Sequence, residues 1–378
     1  MTSPPNFPLP ENFPLTETPD KPLSGVPIAV ALSGGVDSAV AALLLKRAGA
    51  RVFAVFMKNW EDDDTEAGCH DKDDLIAAAA AADALGVELQ TANFAAEYKA
   101  RVFAPFLRAL QNGRTPNPDV LCNSEIKFEA FRRYAQNAGA QIAATGHYAR
   151  IRVINGAPCL LKGEDSAKDQ SYFLHRLSAA QLSGFIFPLG GHYKADVRAI
   201  ARAAGLGNWS RPDSMGICFV GARRFTDFLQ RYISPSPGAM QTPEGETVGE
   251  HGGLAFYTIG QRRGLKIGGG GAPWFVVGKR RRGNILLVAQ GEHPMLYSKR
   301  VKIENAHWIA GKPPPENHVF SARLRHRQPP SGCALNQSAE TTAEIVFAEA
   351  QRAAAPGQYA VLYDGNICLG GGEITEAE

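Results

Sequence analysis

Two cysteines, Cys122 and Cys218, stand in settings that could give them chemistry. Cys122 ends the stretch Gly113-Arg114-Thr115-Pro116-Asn117-Pro118-Asp119-Val120-Leu121-Cys122, in which two prolines stiffen the backbone just ahead of a helix expected from Ser124. A thiol at a helix N-terminus has its thiolate stabilised by unpaired N–H groups and the dipole end. Asp119, three residues earlier, could reach the same substrate atom as a general base. The competing reading is a buried cysteine beside a capping aspartate. Cys218 lies in Asp213-Ser214-Met215-Gly216-Ile217-Cys218-Phe219, where Gly216 suggests a turn that projects the thiol. A plain core strand is the competing reading there. Two cysteines are what sulfur transfer requires. One carries a persulfide, and the other attacks it to release sulfide or closes a disulfide after the sulfur has left.

The second chemical feature is Ala31-Leu32-Ser33-Gly34-Gly35-Val36-Asp37-Ser38, between an apolar strand and a helix. Two glycines let the backbone approach an anion, and the helix N-terminus presents free N–H groups. The spacing is not that of the phosphate loop G-x-x-x-x-G-K-[ST]. S-G-G-x-D-S resembles instead the loop of ATP pyrophosphatases (the PP-loop superfamily), which grips pyrophosphate while ATP is cleaved at the α-phosphate. That resemblance implies ATP, with Mg²⁺ neutralising the pyrophosphate. Asp37, the loop's one carboxylate, could bind the metal or cap the helix.

The elements that must position these groups alternate. Ile28 to Leu32, Val52 to Met57, Val87 to Asn93 and Gln141 to Thr145 read as buried parallel strands. Helices are expected at Ser38 to Ala48, Asp71 to Leu85 and Ser124 to Ala138. This repetition implies an α/β fold, a doubly wound parallel sheet. Beyond Tyr148, Asn155-Gly156 marks a hairpin between Ala149 to Ile154 and Cys159 to Lys162. Helical pieces follow at Ser178 to Phe187 and Lys194 to Ala204. Short strands at Phe275 to Val277, Ile285 to Ala289, Ala343 to Phe347 and Tyr359 to Tyr363 suggest a small β-rich middle domain and a C-terminal barrel or sandwich. The expected division is a disordered leader over 1–25, a catalytic domain over 26–222, a central domain over 223–292 and a barrel over 293–378.

The 378 residues are 44% hydrophobic and 20% charged, and no apolar run is long enough to span a membrane. No basic region leads into an apolar stretch at the start, so a cytoplasmic protein is expected. The six cysteines show neither C-x-x-C pairs nor cysteine–histidine ligand spacing, which argues against structural zinc or a disulfide framework. Net charge is only +3, but Arg262, Arg263, Lys279 to Arg282, Lys299, Arg300, Arg323, Arg325 and Arg327 bias the last third towards positive.

The order of motifs is similar to that of the tRNA-specific 2-thiouridylases. The matching blocks are Ser33 to Ser38, Phe56 to Trp60, Gly113 to Phe128, Ala144 to Tyr148, Lys168 to Leu174, Gly216 to Phe219, Tyr257 to Leu265 and Cys368 to Gly372. The resemblance covers roughly residues 26–375. It implies three domains, an ATP-dependent adenylation of the wobble uridine C2 oxygen in tRNA, and sulfur transfer from a persulfide supplied by an upstream donor protein. Cys122 would be the nucleophile towards the base, Cys218 the persulfide carrier and Asp119 the acid/base. Ala31, Leu32, Ser33, Gly34, Gly35, Val36, Asp37, Ser38, Met57 and Gly146 would hold ATP. Asn117, Pro118 and Asp119 would meet the flipped base. His147, Lys168, Asp169, Gln170, Arg325, His326 and Gln358 would meet tRNA. A monomer is expected. Ala31 departs from a common glycine, Met215 from an expected threonine and His326 from a frequent tyrosine. Two other readings stay open: a ligase that adenylates a small metabolite without an essential cysteine pair, and a catalytically silent nucleotide-binding protein.

Overall fold

The computed structural model describes residues 22–61, 70–213, 225–316 and 318–378. A parallel sheet is built from β1 (Pro27–Ala31), β2 (Arg51–Lys58), β3 (Glu88–Asn93) and β4 (Ile142–Ala144). β1 has no exposed residue because both faces are covered. Ile28 and Val30 face α1 (Val36–Arg47), α2 (His70–Leu85) and the helix Lys194–Ala203. Ala29 and Ala31 face the helical segments Ala104–Gln111 and Cys122–Ala130 on the other side. This two-sided burial explains the continuous apolar strand runs.

The hairpin forms as β5 (Ala149–Ile154) and β6 (Ala157–Lys162), with Asn155 and Gly156 both at positive φ. Expected helix from Ser178 to Phe187 is corrected. It stops at Leu182 after a Ser178–Gln181 capping box, and Phe185–Ile186 becomes β7, the fifth strand of the sheet in the order β3-β2-β1-β4-β7. Gly184 breaks the short helix, and Phe185 is drawn into contact with Phe128 at 4.4 Å between ring centroids. Strand order reverses between β1 and β4, and ligands of such sheets bind at the carboxyl ends of the strands at that point.

The central domain is a four-stranded sheet of β8 (Gly238–Gln241), β9 (Thr247–His251), β10 (Trp274–Arg280) and β11 (Ile285–Gln290). The C-terminal part resolves the choice between barrel and sandwich. β12 (Tyr297–Trp308), β13 (Phe320–Arg323), β14 (Ser331–Ala339), β15 (Thr342–Arg352), β16 (Tyr359–Asp364) and β17 (Ile367–Ala377) close into a barrel, because β17 pairs back onto β12. β6 adds to β17 from outside. Tyr359, Val361 and Tyr363 of the barrel lie in the same core as Phe128 and Tyr172, so barrel and catalytic domain share packing. Among the described residues no helix is long and apolar enough to cross a membrane.

Candidate active site

The anion loop leaves the carboxyl end of β1 and is tied shut by its own hydroxyl. Ser38 Oγ donates to the Gly35 carbonyl at 3.0 Å and accepts from Ser33 N at 3.2 Å. Gly34 has φ +79°, and a Cβ there would run into the Asp74 carbonyl oxygen, so only glycine fits. Gly35 caps α1 through its backbone, which leaves the first-turn N–H groups of α1 for an anion. Gly146, just beyond β4, packs so close that a Cβ would lie 2.9 Å from Ser38 N. Met57 sits half-buried at the carboxyl end of β2. Thus β1, β2 and β4 bring the expected ATP-binding residues together at the switch point.

Asp37 does not cap the helix. Its Oδ1 accepts from Tyr148 Oη at 2.8 Å, and Lys194 Nζ reaches Oδ1 at 2.7 Å and Oδ2 at 2.8 Å. Lys194 Nζ also lies 2.8 Å from Asp213 Oδ1. Asp213 receives Lys168 at 2.6 Å and Arg198 at 2.9 Å as well. Burial works to raise the Asp213 pKa, but hydrogen bonds from Lys168 and Lys194 outweigh it and hold the group down at about 2. Burial, then the charge of Asp37, pushes the Tyr148 phenol far up, so it serves as a donor. Lys194, Tyr148, Asp213 and Arg198 were missed from sequence. Lys194 left one trace: a cation opening a helix, where the dipole disfavours it.

The Cys122 stretch is built differently from the expected pattern. Asn117 is the N-cap, its Oδ1 accepting from Asp119 N at 3.2 Å, and Pro118 takes the first helical position. Both residue types favour that arrangement. The helix therefore starts before Cys122 and runs through Pro118–Leu121, a π-helical stretch Cys122–Ala130, and Phe131–Asn137. Cys122 lies in the second turn, 2% exposed, and the dipole effect that falls off within one turn reaches it weakly. Asp119 and Cys122 share a helix face at i, i+3 spacing. Burial pushes the Asp119 carboxyl above its ordinary range, against a smaller opposing effect of Lys127. A raised carboxylate is better matched to proton transfer near neutral pH. Interruptions of π type recur at functional sites.

Cys218, Met215 and the turn at Gly216 lie outside the described residues. No disulfide joins any two described cysteines. Burial pushes the Cys333 and Cys368 thiols to about 12, which leaves both protonated and inert.

Residues expected to meet tRNA fall into two groups. His147 is 7% exposed, bonds Thr145 Oγ1 at 2.7 Å, and is kept neutral by burial among Phe128 and Phe187. Asp169, 2% exposed, pairs with Arg323 at 2.7 Å and accepts from Gly163 N, Ser171 N and Ser171 Oγ. Both therefore point inward. Lys168, Gln170, Arg325, His326 and Gln358 are half-buried and bonded. Gln170 Oε1 accepts from Tyr148 N at 2.9 Å, and Arg325 donates to the Ile259 and Ala353 carbonyls. His326 Nε2 bonds the Asp169 carbonyl at 2.8 Å. The basic bias of the last third is thus partly internal. Its exposed members are Arg262, Arg263, Arg280 to Arg282, Lys299, Arg300 and Arg327.

Among the described residues no group of three or more His, Cys, Asp or Glu side chains could hold a metal ion. Asp37, the loop's carboxylate, has both oxygens bonded to Lys194 Nζ, so a Mg²⁺ ion joined there to phosphate oxygens and water would have to displace that lysine.

Comparison with known proteins gives three matches in order. A tRNA methyl transferase HUP domain matches residues 26–222, a tRNA methyl transferase PRC-barrel domain residues 226–290, and an aminomethyltransferase beta-barrel domain residues 298–374. The tRNA-specific 2-thiouridylase MnmA of Methylobacillus flagellatus is 54% identical over 355 residues, covering 93% of this chain and 99% of that protein. Its namesake from Paraburkholderia phymatum is 53% identical over 360 residues, covering 93% and 94%. That from Ralstonia nicotianae is 52% identical over 361 residues, covering 94% and 98%. The domain descriptions and the relatives' names differ over the group transferred, methyl or sulfur.

Proposed function

The chain belongs to the MnmA tRNA-specific 2-thiouridylase family, and from that premise we propose that it converts a tRNA uridine to 2-thiouridine by ATP-dependent adenylation followed by sulfur transfer. One arrangement carries the mechanistic reading: Asp119 and Cys122 face one way at the opening of a helix, in a domain whose first helix opens on the Ser33–Ser38 loop. A loop of this type and a cysteine beside an acid/base serve sulfur chemistry; methyl transfer would leave the anion loop without a task.

In this reading the loop and the α1 N-terminus hold the polyphosphate of ATP. Mg²⁺, held by Asp37 and the phosphates, would neutralise the leaving pyrophosphate. Asn117 and Pro118 bound the pocket for the unstacked base. Asp119 accepts the uridine N3 proton as the C2 oxygen attacks the α-phosphorus and pyrophosphate leaves. The terminal sulfur of a persulfide on Cys218 then bonds to C2, and AMP departs with the former C2 oxygen. The Cys122 thiolate attacks Cys218 Sγ, closing a Cys122–Cys218 disulfide and releasing 2-thiouridine. An external thiol reduces the disulfide. A donor protein must reload the persulfide.

The test is incubation with unmodified tRNA, ATP, Mg²⁺ and a persulfide donor, followed by nucleoside analysis. 2-Thiouridine is expected from the wild type and from neither Cys122→Ser nor Cys218→Ser. Full product from either variant would contradict the division of labour and favour a ligase-type reaction.

A further inference from the structure

The Lys194 ammonium is 9% exposed and, among the described residues, meets both carboxylate oxygens of Asp37 and Oδ1 of Asp213. Asp213 does not need it, because Lys168 and Arg198 already hold that carboxylate. Lys168, Lys194 and Arg198 thus face Asp37, Asp213 and Asp165, whose Oδ2 accepts from Lys194 N at 3.0 Å, and the charges beside the α1 N-terminus balance only while Lys194 is there. No local preference places Lys194 there, since it opens its own helix at the end where the dipole repels a cation. Asp37 takes two of the three ammonium donors much as two phosphate oxygens would. It stands in the first turn of α1, the turn whose free N–H groups form the anion site.

We infer that Lys194 is a pyrophosphate ligand of the nucleotide site, its ammonium passing from the Asp37 carboxylate to the β- and γ-phosphate oxygens of ATP. The transfer frees Asp37 while Asp213, Lys168 and Arg198 remain paired, so the cluster keeps its geometry as the anion enters. Tyr148, hydrogen-bonded to Asp37 and with its ring centroid 5.9 Å from Lys194 Nζ, holds the two side chains in line. The inference deepens the ATP reading above and rests on it.

The experiment is calorimetric titration of the full chain with ATP, inorganic pyrophosphate and AMP, without tRNA or sulfur donor. Loss of one charge-assisted contact predicts that Lys194→Gln weakens ATP and pyrophosphate binding about 10- to 100-fold and AMP binding by no more than about twofold. Lys194→Arg recovers part of the loss. A purely structural lysine would be excused by restoring charge balance, so the deciding variant is Lys194→Gln with Asp213→Asn, whose folding is checked by its melting temperature. Pyrophosphate affinity that stays low in this double variant supports the inference. Recovery to within about twofold of wild type overturns it, as does unchanged affinity in Lys194→Gln. If the wild type binds neither ATP nor pyrophosphate, the nucleotide reading itself fails and the inference with it.

Discussion

Gln358 Nε2 donates to the Thr115 carbonyl at 2.8 Å, so the barrel holds the backbone that leads into Asn117 and Asp119. Thr115 N donates in turn to the Pro356 carbonyl at 2.7 Å, and Gly357, at φ +95°, lies where a Cβ would come within 2.7 Å of Thr115 N. The central domain adds Thr258 Oγ1 to Thr115 Oγ1 at 3.1 Å and Lys279 Nζ to the Gly113 carbonyl at 3.1 Å. Three domains thus meet on the short segment that leads to Cys122.

Gln358 was expected to touch tRNA, yet its amide already serves this loop. Replacement by alanine removes one hydrogen bond, about 1 kcal/mol, and should lower kcat about fivefold with the tRNA KM little changed. Steady-state thiolation at varied tRNA concentration reads the split. A raised KM at constant kcat would return Gln358 to the RNA surface.

Asp169 and Arg323 form a buried pair between catalytic domain and barrel. Removing one partner strands the other charge, at a cost of about 3–5 kcal/mol. Asp169→Asn should therefore shift the urea unfolding midpoint strongly downward. Asp169→Asn with Arg323→Met should recover most of the loss. Unchanged stability with weakened tRNA binding would instead make Asp169 an RNA contact.

Asp119 has its pKa raised by burial, and as a base it works only when ionised. The acid limb of the thiolation rate should therefore lie above the ordinary carboxylate range, with activity rising as pH increases through it. Asp119→Asn should cost about 10²- to 10⁴-fold in rate and abolish that limb, while ATP binding persists. A limb that survives the substitution would assign it to another group.

Lys279 is held down to about 8 by burial. Between that value and its ordinary 10.5 the unfolded chain binds the proton and the folded chain does not, so this group makes stability rise with pH across the window. Urea unfolding at pH 7.5, 9 and 10 should show that Lys279→Met removes this rise relative to wild type. An identical pH dependence in both proteins would contradict it.

Local patterns were legible where local physics decides. Buried strands, the Asn155-Gly156 hairpin and the glycine loop all came from runs or spacings within about a dozen residues. The helix around Cys122 was read short because Ser124 looked like a start, whereas Asn117 and Pro118 supply a better cap and first residue. The Asp37–Lys194–Asp213 cluster joins positions far apart in sequence, and nothing in periodicity could pair them. Phe185–Ile186 became a strand because the edge of a parallel sheet was open to it, a tertiary reason invisible in an apolar run of that length.

The central claim is that the uridine C2 oxygen attacks ATP and leaves on AMP. It is tested most directly with tRNA transcribed from uridine triphosphate carrying ¹⁸O at C2, incubated with ATP, Mg²⁺, a persulfide donor and the enzyme, with mass analysis of the AMP. The account predicts that each AMP formed alongside 2-thiouridine carries one ¹⁸O. Unlabelled AMP, or 2-thiouridine formed without AMP, would contradict it.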